Sequence, residues 1–227
     1  MKKITIIIAI SLCFSIVSCN KDNIENSYCI KNIQNSPTTT ILSNSEMDVV
    51  KYLFNRNQLD YTKYLFTKFQ EDELGYHHIR CYQFANNLIV FTSDVIFHFD
   101  KNDNYYFLSD ELINEINLNT KSLMTRDNIV EKYIDIVTND EDFLAWLRLL
   151  EEMVKVDETV EVIHIEDIIE NCFDIEFGYY NLNAGISYAE ENYTKAWKIK
   201  PSDRDYPYAY INDEDLEIIY YDNGFRY

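Results

Sequence analysis

Read for period alone, the chain alternates between helix-like and strand-like stretches. From Glu46 onward, Met47, Val50, Leu53 and Phe54 recur at three- and four-residue spacing, which predicts a helix with one buried face. Tyr61, Leu65 and Phe69 at i+4 spacing predict a second helical run that ends at Gly75. Residues 76–84 interleave polar and apolar positions as a half-exposed strand does. In residues 88–99, Ile89, Phe91, Val95, Phe97 and Phe99 fall on one face by strict alternation, with Thr92, Asp94 and His98 on the other. Asp100 to Asn104 predicts a turn and Tyr105 to Leu108 a return strand. Thr125 is placed to cap a helix carrying Ile129, Val130, Tyr133, Ile134 and Val137, and Asn139 a second carrying Phe143, Trp146, Leu147, Leu150 and Val154. Residues 160–165 and 174–180 look like strands, and a C-terminal meander runs through 193–200, 206–211 and 216–221. Helices and hairpins thus come in blocks, not as repeated βαβ units. The expected class is α+β, antiparallel sheets curled around helices in two units, residues 46–138 and 139–227.

The N-terminal residues lie outside this pattern. Lys2 and Lys3 precede an apolar run from Ile4 to Ser18. It is too short to cross a hydrocarbon core of ~30 Å with polar anchors at both ends, and it reads as a signal peptide, residues 1–18. Ile16-Val17-Ser18-Cys19 resembles a bacterial lipobox, which implies a lipidated Cys19 and a membrane anchor at the cell envelope, most naturally the outer membrane. Residues 19–45 are rich in Asn, Ser, Thr and Lys and read as a polar tether. Within it, Asn20-Lys21-Asp22-Asn23 partly resembles signals for surface export.

Charge narrows the partners. There are 39 acidic against 20 basic residues, a net charge of −19. That balance excludes a phosphate-binding footprint, so no nucleic acid partner is expected, and it excludes adhesion to anionic lipid by a basic patch. Beyond the signal and Cys19, the cysteines are Cys29, Cys81 and Cys172. An exported compartment permits one pair, with Cys81–Cys172 the candidate; the other reading makes both small buried hydrophobes.

Candidate chemistry is sparse. His77 and His78 point to opposite faces of a strand, while His78 and His98 can be cross-strand neighbours, and no third ligand completes a metal site. The acidic groups Asp100/Asp103, Asp140 to Asp142 and Asp213/Glu214/Asp215 lack calcium-loop spacing and read as solvated turns and helix starts. The four glycines form no phosphate loop, and no Gly-x-Ser-x-Gly occurs. No catalytic residue, metal site or cofactor is therefore expected, and the chain reads as a non-enzyme. The tyrosines of residues 206–227 admit two readings, plain sheet packing or an aromatic binding surface.

One resemblance organises these pieces. Leu74-Gly75-Tyr76-His77-His78-Ile79-Arg80-Cys81-Tyr82-Gln83 resembles the fungalysin/thermolysin propeptide motif, in which a Leu-Gly pair precedes a His-x-Arg-x-x-Gln strand; His78, Arg80 and Gln83 hold that spacing. Asn87 to Asp94 and Phe97 to Asp100 are similar to its second strand. Tyr193 to Pro201 and Tyr206 to Ile211 are similar to the neighbouring PepSY module. Asn87 and Asn104 stand where the family has Gly, the family has a further Gly in the turn placed at 212–215, and Asp213 replaces an Ala of that turn. The resemblance implies two propeptide-like, cystatin-like units that bind a metallopeptidase, or a similar exported protein, as inhibitor or folding assistant. The zinc-binding His-Glu-x-x-His of a thermolysin-type catalytic domain does not occur in the 227 residues. The alternative is a surface binding module for peptide, glycan or host protein on the same scaffold.

Overall fold

The structure is a computed structural model, and it describes residues 28–34, 41–109, 113, 116–155, 162–186 and 189–224. The expected signal peptide and Cys19 lie outside the described residues. Among those described, all strands join one mixed, mostly antiparallel sheet of nine strands, accompanied by four helices. No helix among them is long and apolar enough to cross a membrane.

Helix α1 (Asn44–Arg56) begins where Ser43 accepts from the Glu46 amide while the Glu46 carboxylate takes the Ser43 N–H, a reciprocal cap. It buries Val50, Leu53 and Phe54. Strands β2 (Tyr64–Glu71), β3 (His77–Ala85), β4 (Leu88–Phe99) and β5 (Tyr105–Leu108) follow as an antiparallel meander. The Phe54 ring sits 4.8–5.9 Å from those of Tyr64, Phe66, Phe97 and Phe99 and closes a first core under α1. Three helices come next, α2 (Arg126–Asn139), α3 (Glu141–Val154) and α4 (Ile165–Ile169). A second meander closes the fold, with β6 (Phe173–Asn181), β7 (Tyr193–Pro201), β8 (Tyr208–Asn212) and β9 (Ile218–Asp222). Ile129, Val130, Tyr133, Val137, Phe143, Leu147 and Ile168 of the helices pack on Phe173, Ile175, Phe177, Tyr179, Trp197 and Ile199 in the second core.

The two meanders meet in a short parallel pairing, Ile89 with Gly178 and Val90 with Tyr179. Gly178 makes that approach possible. A Cβ there would lie 2.4 Å from the Ile89 carbonyl oxygen and 2.8 Å from the Ile89 Cγ2.

Several sequence expectations change in the folded chain. Tyr61, Leu65 and Phe69 do not form a helix; a 3-10 turn over Tyr61–Lys63 leads into β2. A spacing of four is also a multiple of two, so it fits a strand equally, and the Tyr- and Phe-rich segment favours one. Ile89 and Phe91 do not share a face with Val95, Phe97 and Phe99. Tyr82 pairs with Asp94 but Phe84 with Ile89, so β4 carries three extra residues there, and an odd insertion reverses the alternation. Ser93 stabilises the irregularity, accepting from the Gln83 amide at 2.8 Å and donating to the Val90 carbonyl at 2.7 Å. Leu88 and Val90 consequently face the same side as Val95, Phe97 and Phe99, and all four helices lie on that side.

The polar stretch read as a tether contains strand β1 (Ile30–Gln34), parallel to β6, with Tyr28 and Ile30 against the second core. Cys172 bonds to Cys29, not Cys81, across 143 residues of sequence. Cys81 is free and fully buried in the first core, where burial pushes its thiol well above the usual range. Asp140, not Asn139, caps α3 by accepting from the Phe143 amide. Within the span 160–165 read as a strand, residues 162–164 form none and Ile165 opens α4; residues 160–161 lie outside the description. Helix α2, assigned to the first unit by the sequence pattern, packs in the second core, and both meanders belong to one continuous sheet.

Candidate functional site

Among the described residues, the helices all lie on one face of the sheet. The other carries a third cluster made only of strand residues, Ile89, Phe91 and Ala196 with Leu65, Tyr82, Phe84, Tyr180, Tyr210 and Ile219 packed against them. Alternation fixes what shares this helix-free face: His78, Arg80 and Tyr82 from β3, Asp94 and His98 from β4, Asp174 and Glu176 from β6, Lys198 and Lys200 from β7, Tyr208 and Tyr210 from β8.

At the end formed by the first meander, the polar groups are satisfied by one another. His78 and His98 are directly opposed in register, and their Nδ1 atoms lie 2.7 Å apart in a hydrogen bond. Burial, and then the neighbouring His78, hold His98 below its ordinary pKa. His78 Nε2 faces Asp72 at 3.3 Å, and the Phe107 ring stacks on His98 at 4.1 Å. Arg80 grips Asp94 at two points, Nε to Oδ1 at 3.0 Å and a terminal nitrogen to Oδ2 at 2.9 Å. Gln83, buried at 4% exposure, accepts from the Ile113 amide and so ties down the chain after β5. His78, Arg80 and Gln83 each hold a structural contact; His77 lies on the other face, 3.3 Å from Asp103. Among the described residues no three His, Cys, Asp or Glu side chains converge on a metal position.

Residues 66–112 match the family model of the Fungalysin/Thermolysin Propeptide Motif. The matched stretch runs from within β2 past the end of β5, so it is the first meander, and it covers a minority of the chain. The propeptide motif is a non-catalytic element, and the residues that carry it here serve the sheet. No curated protein matches the chain.

Beyond the propeptide-like strands, the same face changes character. Glu176 and Lys198 are paired across β6 and β7. Burial pushes the Glu176 carboxyl up to about 7, opposed by the attraction of Lys198, and burial lowers Lys198 against the pull of Glu176. Lys198 Nζ lies over the rings of Tyr208 and Tyr210, 5.6 and 5.8 Å from their centroids. Tyr210 stacks obliquely with Phe91 and Tyr180, each at 5.0 Å, and Tyr208 continues the aromatic row to Tyr206 and Tyr220 at 5.6 and 5.9 Å. In the sequence, Glu176 sits in a strand of simple alternation and Lys198 in a strand of the C-terminal meander, with no motif marking either. The one available signal is register: a glutamate and a lysine, each between an isoleucine and an aromatic residue, on strands paired as neighbours.

Asp213 marks another departure. The sequence pattern places it among solvated turn residues, yet it is fully buried. It accepts from Ser122 Oγ, the Leu123 and Met124 amides and Trp197 Nε1, with Lys195 Nζ at 3.2 Å. Burial opposes its ionisation, but these hydrogen bonds prevail and hold it below the usual carboxylate range. Its role is to pin the segment before α2 to the β7–β8 hairpin.

Proposed function

We propose that the chain is a non-enzymatic exported lipoprotein that binds a metallopeptidase, or a similar exported protein, as an inhibitor or folding assistant acting in trans. The observation that supports this reading is the match of the first meander to a peptidase propeptide motif. The second half repeats the plan of helix followed by four-stranded meander, in line with a second propeptide-like, cystatin-like unit of PepSY type. Lipid on Cys19 would hold the protein at the envelope, with the outer membrane as the expected site. The test is capture from native membranes with the full chain as bait, followed by titration of the bait into the captured peptidase. A metallopeptidase whose activity falls in proportion supports the proposal; captured partners whose proteolysis is untouched by the bait defeat it.

The second reading, a surface binding module, draws on the aromatic row of Tyr206, Tyr208, Tyr210 and Tyr220 on a sheet face that bears no helix.

A further inference from the structure

On the helix-free face, a cavity of about 410 Å³ opens beside β6 and β7. That volume falls in the lower part of the range typical of small-molecule sites, ~300–1,000 Å³. Its apolar walls are Leu65, Ile89 and Phe91, and its polar groups include Tyr82, Glu176, Lys198 and Tyr210. These four side chains make no hydrogen bond to any other described residue. The site therefore combines ring faces with two hydroxyls, one carboxyl and one ammonium, all half-buried and available.

The balance of charge selects the ligand. A cationic group seated against Glu176 meets the ammonium of Lys198 from the facing strand. An anion drawn to Lys198 meets Glu176, and the second lysine of the cavity wall, Lys200, is already paired with Asp205 at 2.7 Å. A purely apolar ligand leaves the four polar groups desolvated and unpaired, which costs about 1–3 kcal/mol for each. A neutral polyol escapes all three penalties, because every hydroxyl both donates and accepts: it can donate to Glu176 and accept from Lys198, while its C–H faces lie on tyrosine and phenylalanine rings. The aromatic row through Tyr208 and Tyr206 continues from the cavity and offers a path for further sugar units.

We propose that this cavity binds a short neutral oligosaccharide, with Glu176 and Lys198 fixing its hydroxyls and Tyr82, Phe91 and Tyr210 supplying the stacking faces. The first meander contributes Leu65, Tyr82, Ile89 and Phe91 to the site and the second meander contributes Glu176, Lys198 and Tyr210, and the proposal stands whether or not a peptidase binds the same protein. The test is isothermal titration of the full chain with cellobiose, maltose, lactose and N,N′-diacetylchitobiose, with a Lys-Arg dipeptide amide as the cationic arm. Saturable binding of at least one disaccharide is expected, weakened roughly tenfold in Glu176→Gln and in Tyr210→Ala, the loss of about one buried hydrogen bond or ring contact. Circular dichroism checks that each variant is folded. Should Tyr210→Ala not fold, Lys198→Met takes its place by removing the ammonium that donates to a sugar hydroxyl, with the same tenfold weakening expected. Binding by none of the four disaccharides, unchanged affinity in the folded variants, or tighter binding of the dipeptide amide would each overturn the proposal.

Discussion

The two halves of the sheet are built on one plan and held by different means. The first meander is held by side-chain packing: one helix, four aromatic rings around that of Phe54, and a helix-free face whose polar groups engage each other in pairs. The second carries three helices, a disulfide and a buried carboxylate with four hydrogen-bond donors, and its helix-free face leaves polar groups unsatisfied. A region that spends its polar groups on its own register has little left for a ligand. A region stabilised from behind, through the helices and Asp213, can keep polar groups open on its front.

That contrast can be broken most severely at Asp213. Asp213→Ala strands Trp197 Nε1, two backbone amides and Lys195, and should cost about 3–5 kcal/mol, a large share of the stability of a typical domain. Urea denaturation measures it. Because the folded pKa of Asp213 is depressed, its contribution is present above the unfolded carboxylate range and disappears as pH falls through the folded value. Asp213→Asn should accordingly flatten the acid limb of the stability profile.

Next in size is the covalent link. Replacing Cys29 and Cys172 together by alanine opens a loop of 143 residues and should cost about 2–5 kcal/mol, read as a fall in the thermal midpoint. The joint between the halves follows. Gly178→Ala places a methyl group against the Ile89 carbonyl and should cost about 1–3 kcal/mol, since β4 or β6 must move aside. If the halves depend on that joint, probes in each will report separate transitions; coincident transitions in the variant would show that the remaining contacts between the halves suffice to couple them.

A smaller effect separates the two open faces. The Glu176 carboxyl is raised by burial, so the folded state holds a proton that the unfolded state has released, and stability should decline as pH rises from about 4.5 through about 7. Glu176→Gln should remove that decline. On the first meander, Arg80→Ala should change stability by no more than about 1 kcal/mol, because the Arg80–Asp94 pair is half exposed.

Much of this was legible in advance. The hairpin of β3 and β4, the return strand β5, the Thr125 cap and the C-terminal meander all follow from alternation and turn chemistry close in sequence. Asn87 adopts the left-handed conformation expected where the family has glycine, although in the next turn Asp103 takes it instead of Asn104. What failed were features settled by distant contacts. The reversal of β4 depends on its register with β3, β1 exists because β6 offers it an edge, and Asp213 is buried because Trp197 and the segment 122–124 close over it. Nor could the cavity be seen, because Glu176 and Lys198 acquire meaning only once β6 and β7 are paired.

The Cys29–Cys172 bond has a consequence for reach. A polar tether through residue 45 would let the body wander far from its attachment, but the body is already gripped at Cys29. Cys29 lies only ten positions along the chain from Cys19. At full extension they span no more than about 36 Å. A lipid on Cys19 would therefore act as a short leash, confining the sheet to a shell close to the bilayer. Within that shell a co-anchored partner is met at high effective concentration, while one diffusing in bulk gains nothing from the anchor.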